Sequence, residues 1–269
     1  WDNAYKQFLT VDTAYSSSVY AGAARFEMGD LFEKFVPNYD SASFYYQKSA
    51  SSAAPLEYLT QIRTKNQQFT KYKSLSTSLI NFQKQLVYLT DTTAFLKDSI
   101  AYAEELERLK KEQELTQNTE LETTPGRERD FGDDPNKNNQ VDVSSLKPSI
   151  SQPIRPTLTA DSLKSLIIKN SYDLGNLFFT EINQLDSAKF YYSFIVDSFN
   201  TAPIVPQALF ALGSYYLTIE NKQTADSIFN FIYENYPNDK IVNAAASKIN
   251  KPIIDFDKDP AKDEYLIAE

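Results

Sequence analysis

Neither cysteine nor histidine occurs anywhere in the 269 residues of this chain. The first absence removes disulfides, thiolate nucleophiles and thiolate metal sites. The second removes the commonest general base near neutral pH and the commonest metal ligand. No Gly-rich phosphate loop is present, and Ser162, Ser171 and Ser187 have no histidine to activate them. The composition therefore points away from an enzyme and calls for no cofactor and no metal. Glycine is scarce too, with six residues, which argues against a loop-rich β fold. No apolar run approaches the roughly 18–20 residues of a membrane span. A basic excess is also missing. The net charge of −9 leaves no footprint for nucleic acid or an anionic membrane surface. The chain opens at Trp1 and not at Met, which is compatible with an upstream signal or lipid-anchor segment.

What the chain does have is aromatic surface, with 18 Tyr and 18 Phe. Each such ring can bury about 150–250 Å², so a substantial core is available. The aromatics recur in a spaced pattern. Met28-Gly29-Asp30-Leu31-Phe32 precedes Asp40-Ser41-Ala42-Ser43-Phe44-Tyr45-Tyr46, and Leu174-Gly175-Asn176-Leu177-Phe178 precedes Asp186-Ser187-Ala188-Lys189-Phe190-Tyr191-Tyr192. Thirteen positions separate the glycine from the alanine in both. A third copy, Leu212-Gly213-Ser214-Tyr215-Tyr216 followed by Ala225-Asp226-Ser227-Ile228-Phe229, has a spacing of twelve.

Each copy reads as a helix pair. Leu163, Ile167, Leu174 and Phe178 keep to one helical face, and Ala188, Tyr192, Ile195 and Phe199 to another, with Asp186 expected as the N-cap between them. In the third copy Leu209, Leu212 and Tyr216 are answered by Ala225, Phe229, Ile232 and Tyr236. Pro206 stands where a helix should start and Pro237 where one should stop. The small residues Gly29, Gly175 and Gly213, with Ala42, Ala188 and Ala225, let the paired helices approach closely. This pattern resembles the tetratricopeptide repeat. The 38 residues between Gly175 and Gly213 exceed the usual period of about 34, which fits an extra turn residue and a longer connection around Thr201–Pro206. Tyr236-Pro237-Asn238-Asp239 and the Ala202–Ala208 stretch look like repeats of bacterial envelope proteins, such as the Tol–Pal accessory protein and BamD-type lipoproteins.

The intervening sequence differs. Residues 55–116 contain Leu75, Leu79, Phe82, Leu86 and Leu89, then Tyr102, Leu106 and Leu109, at helical spacing, with a capped turn expected at Thr90-Asp91-Thr92-Thr93. Two long helices packed as a hairpin are predicted, with a free coiled-coil stalk as the alternative. Residues 117–157 are proline-rich and polar, as a linker would be. The expected fold is therefore all-α, a tetratricopeptide-repeat-like α-solenoid interrupted by a long hairpin and a linker. Its parts would be residues 1–54 with the first repeat, 55–116 the hairpin, 117–157 the linker, 158–250 two tandem repeats with a capping helix, and 251–269 an acidic tail. Too few repeats are adjacent to close a core alone, so the first repeat and the hairpin should stack on the last two.

Acidic clusters give little chemistry. Asp255-Phe256-Asp257-Lys258-Asp259 has Pro260 and Leu266 where a calcium loop needs Gly and Glu, and reads as a solvated tail. Asp133-Asp134-Pro135-Asn136 has no frame to hold an ion. Glu104 to Lys111 reads as a charged helix face, with pairs such as Glu107–Lys111. The resemblance implies a concave groove lined by the first helix of each repeat. Its fifth positions would be Phe26, Tyr172 and Phe210, its ninth Asp30, Asn176 and Ser214, and its twelfth Glu33, Phe179 and Leu217. Such a surface suits a peptide or helix of another protein, unless the hairpin or linker fills it. Lys169 and Asn176 match part of the clamp by which relatives hold acidic C-termini, but Asp173 places a negative charge beside them. The resemblance thus implies a non-catalytic protein-interaction scaffold in a bacterial envelope or secretion assembly, periplasmic or outer-membrane-associated. The alternatives are a structural subunit of a periplasmic or extracellular assembly and, more remotely, a carboxylate-based helical enzyme.

Overall fold

A computed structural model describes residues 1–122, 148, 150–256, 264, 265 and 268. Among these residues the architecture is all-helical and repeat-packed, with ten α-helices. They are α1 (Asp2–Ala14), α2 (Val19–Lys34), α3 (Tyr39–Ala50), α4 (Leu56–Thr90), α5 (Thr92–Glu122), α6 (Ala160–Leu177), α7 (Leu185–Ser198), α8 (Val205–Thr218), α9 (Lys222–Asn235) and α10 (Ile241–Lys248). A π-helical turn, Phe178–Ile182, extends α6. The chain divides into two compact units, residues 1–80 with 165–269, and residues 81–164.

In the first unit α2 pairs with α3, α6 with α7, and α8 with α9. The repeated small residues have one shared cause. A Cβ added to Gly29 would stand 2.8 Å from the Tyr46 ring, one on Gly175 2.5 Å from Tyr192, and one on Gly213 2.5 Å from Phe229. Each aromatic lies four residues after the alanine of the second helix, and Tyr46, Tyr192 and Phe229 are all buried. The glycine is thus a seat for its partner's ring, and the ring fills the helix interface.

The turns inside the pairs explain the unequal spacing. In the first two pairs the turn closes through amide bonds that reach back six positions, Asn38 N–H to Phe32 O at 3.0 Å and Gln184 N–H to Phe178 O at 2.9 Å. The third pair lacks the extra residue and closes with Asn221 N–H to Tyr216 O at 2.8 Å. Left-handed residues make the last two turns, Asn183 at φ 61° and Glu220 at φ 62°. Asp186 is not the N-cap of α7; the helix starts at Leu185 with Gln184 at the cap. The Asp186 carboxylate instead accepts from the Tyr215 hydroxyl at 3.2 Å. Pro206 does fall in the first turn of α8.

The first pair docks on the second despite the long insertion between them. Tyr39 of α3 packs on Phe178 with ring centroids 4.8 Å apart, and Tyr72 of α4 meets both rings, at 5.8 and 5.7 Å. Phe178 stacks in turn on Tyr191 at 5.7 Å. Aromatic pairs of this kind contribute about 0.5–1.5 kcal/mol beyond the area they bury. Burial pushes the Tyr191 phenol up to about 12, so this junction stays uncharged.

The start of α4 is therefore a core element as well as part of a hairpin. Its Tyr58 packs on Phe26, its Phe69 on Tyr46, and its Lys65 reaches the buried Glu33 at 2.6 Å. α1 is fastened to the first pair by the buried Asp12, which takes Arg25 and Lys48 at 2.6 Å each.

In the second unit, Asp91 interrupts the two long helices as the turn composition predicts. Its Oδ1 accepts the Thr93 amide at 2.9 Å and the Ala94 amide at 3.3 Å. Tyr88 donates to Asp98 at 2.7 Å and packs on Phe95, so the tip folds back on itself. Arg155 lies 4.9 Å over the Phe95 ring, which places that part of the proline-rich stretch against α5. Most of the expected linker, residues 123–147 and 149, lies outside the described residues, as do residues 257–263 of the acidic tail.

Candidate partner-binding cleft

The residues expected to line a groove fall in two environments. Phe26 is buried beneath Tyr58, and its ring also meets Tyr46 at 5.5 Å. Asp30, one turn on, pairs with Lys34 at 2.8 Å. Both line an open space between α2 and α4 of about 470 Å³. At the first pair, then, α4 itself covers the face that repeat phase assigns to the groove, and the twelfth-position Glu33 is spent on Lys65 and the Tyr46 hydroxyl, each at 2.6 Å.

The second and third pairs present more surface. Tyr172, Phe210 and Leu217 are half-buried and pack against the core around Ile195, Leu209 and Phe229. The Tyr172 ring lies 5.9 Å from Tyr192, and Phe210 5.4 Å from Phe229. These three form a rim of the core, not a free apolar strip. Burial pushes the Tyr172 phenol up, and the neighbouring Asp173 carboxylate adds to that. Ser214 donates to the Phe210 carbonyl of its own helix at 2.9 Å. Phe179 lies half-buried in the π-helical turn.

Asn176 is an expected groove residue on α6. Its Oδ1 accepts the Tyr192 hydroxyl at 2.8 Å, which fixes the side-chain amide. It lines a cleft of about 490 Å³ between α4 and α6. Leu75 and Leu177 supply apolar surface, while Lys71, Asp173, Thr180 and Glu181 supply polar groups. Lys71 pairs with Glu181 at 2.8 Å, and Gln68 donates to the Glu181 carbonyl at 2.8 Å. Among the described lining residues Lys71 and Glu181 offset each other and Asp173 adds a negative charge, so the cleft favours a neutral or basic occupant. Thr180 donates to the Asn176 carbonyl at 2.8 Å and stays exposed.

On the α4 wall of this cleft Leu75 belongs to the expected apolar stripe, whereas Thr70, Lys71 and Ser74 carry no apolar signal that sequence reasoning could use. Buried carboxylates occur elsewhere, at Asp12 and Glu33, and both are held in the ion pairs described above. Among the described residues no cluster of three or more acidic side chains is arranged to hold a metal ion, and no helix is long and apolar enough to cross a membrane. No protein-family model and no curated protein matches the chain; its all-helical, repeat-packed architecture is consistent with a tetratricopeptide-like fold in general.

Proposed function

We propose that the chain is a non-catalytic protein-interaction scaffold of the tetratricopeptide type, which holds a helix or extended segment of a partner protein in the cleft between α4 and α6. The observation that carries this reading is Asn176. It stands at the repeat position from which such folds address ligands, its amide is pinned by Tyr192, and apolar and polar groups converge around it. The Asp173 carboxylate, beside the Lys71–Glu181 pair, makes a neutral or basic segment the natural occupant. Service in a bacterial envelope or secretion assembly, in the periplasm or at the outer membrane, is the further part of the proposal. Its support is the resemblance of the Tyr236–Asp239 turn and the Ala202–Ala208 stretch to envelope repeats.

A photo-crosslinking side chain at exposed Thr180 tests the cleft directly in the native source. The expected result is one dominant crosslinked protein, reduced at least about tenfold when Asp173→Lys and Asn176→Ala are added. Crosslinking unaffected by those two changes would place any partner elsewhere.

A further inference from the structure

The chain leaves α10 through a left-handed residue, Asn250, at φ 55°. Asn adopts this conformation more readily than most side chains. The Lys251 amide then donates to the Ala246 carbonyl at 3.0 Å, closing a Schellman motif that turns the backbone back onto the helices it has just left. Residues 251–255 have no regular secondary structure, yet their path is set by three side chains. The Lys251 ammonium lies 4.7 Å above the Tyr233 ring and 3.5 Å from the Glu234 carboxylate. Tyr233 donates its hydroxyl to the Pro252 carbonyl at 3.2 Å. Asn243 takes both main-chain groups of Ile254: its Nδ2 donates to the Ile254 carbonyl at 2.8 Å, and the Ile254 amide donates to its Oδ1 at 2.8 Å.

A side-chain amide that pairs with the N–H and C=O of one residue reads backbone the way a neighbouring strand does. Tyr233 and Glu234 add a reading of charge. The segment itself is shallowly seated: Ile253 is 67% exposed, and Pro252 and Phe256 are also exposed. Polar attachment with little apolar burial makes a strap of low local stability. The recognition belongs to the helices, and the strap is one sequence that satisfies it.

We propose that this α9–α10 face is a docking site for an extended basic–proline–aliphatic–aliphatic segment, which the chain fills in cis with Lys251–Ile254 and which the same chemistry fills in trans once the strap is released. The face is separate from the α4–α6 cleft and does not depend on the function proposed for it. In cis the strap acts at an effective concentration on the order of millimolar, which masks the site against weaker binders.

Ile254→Pro in the full chain deletes the amide that Asn243 accepts and leaves the face intact. The probe is a labelled peptide of residues 251–256, titrated by fluorescence anisotropy. The Ile254→Pro chain should bind it at least about tenfold more tightly than the unaltered chain, and adding Asn243→Leu should abolish the gain. Equal binding by the two chains, no binding by Ile254→Pro, or a gain that survives Asn243→Leu would each overturn the proposal. Amide hydrogen exchange of Ile254 in the unaltered chain gives an independent reading. Protection that is lost in Asn243→Leu, with α9 amides unchanged, supports the clamp; an unprotected Ile254 amide overturns it.

Discussion

The hydroxyls of Tyr39 and Ser187 lie 2.7 Å apart and join α3 to α7 across 148 positions of sequence. Around this contact the rings of Tyr39, Tyr72 and Phe178 close the junction between the first helix pair and the second. Packing should dominate the hydrogen bond here. Tyr39→Phe keeps the ring and should cost only about 0.5–1.5 kcal/mol. Tyr39→Ala opens a cavity and should cost about 2–4 kcal/mol. Urea unfolding of both variants checks the ranking, and equal losses would mean that the ring contributes nothing.

The same junction predicts how a split chain behaves. Residues 1–122 and 148–269, produced as separate polypeptides in one cell, should co-purify, because neither part holds both sides of the Tyr39–Phe178 contact. Adding Phe178→Ala, which empties a fully buried site, should reduce recovery of the complex at least severalfold. Fragments that purify apart, each folded, would refute the interlocked arrangement.

A methyl group on Gly175 would stand 2.5 Å from the Tyr192 ring, and Tyr192 is pinned by its bond to Asn176. The ring cannot swing away without losing that bond. Gly175→Ala should therefore destabilise by about 1–3 kcal/mol, as overpacking does. Combined with Tyr192→Leu, the same change should cost much less than the sum of the two single losses, since the smaller side chain leaves room. Strict additivity in denaturant unfolding would show that Tyr192 is not what Gly175 accommodates.

The close approach at these glycines was legible because it recurs, thirteen, thirteen and twelve positions before an alanine, but the rings of Tyr46, Tyr192 and Phe229 that occupy it emerge only from the structure. The capped break at Asp91 was legible for a local reason, an acceptor side chain placed two and three residues before free helix amides. Asp186 carried the same local signal and answers to Tyr215 instead, which lies 29 positions away. Of the α4 wall of the cleft only Leu75 was legible, as part of an apolar stripe; Thr70, Lys71 and Ser74 are polar, and periodicity says nothing about which neighbour a polar helical position faces. Groove phase named Asn176, which lines the α4–α6 cleft, but could not reveal that Phe26, the first pair's counterpart of Tyr172, is covered by Tyr58.

Glu220 closes the turn between α8 and α9 at φ 62°, where a side chain is strained and glycine is not. The turn is held by the Asn221 amide on the Tyr216 carbonyl, which a substitution at 220 leaves in place. Glu220→Gly should therefore stabilise the protein by about 0.5–1 kcal/mol, with the gain in the folded turn exceeding the added freedom of the unfolded chain. Asn183→Gly, at the matching turn, should gain less because Asn already tolerates this conformation. The urea midpoint, read at constant slope, decides both.

Asp12 makes the acid limb of stability testable. Burial alone would push its carboxyl up, but hydrogen bonds from Lys48 and Arg25, with the charge of both, more than offset that and hold it below the ordinary value. A native pKa lower than the unfolded one gives stability that is fully present above the unfolded value, about 3.9, and is lost as pH falls through the native value. At pH 7 Asp12→Asn should cost about 3 kcal/mol, because Arg25 is largely buried and is left without its counter-charge. Lys48 is more exposed and can turn to water, so its loss contributes less. As the pH is lowered below about 4 the unaltered chain must protonate Asp12 to unfold, and its advantage over Asp12→Asn should shrink toward zero. Urea midpoints of the two chains at neutral pH and at several values between about 5 and 2 would show this convergence. A difference that stays constant across that range would mean the carboxylate is not the charged partner holding α1 to α2 and α3.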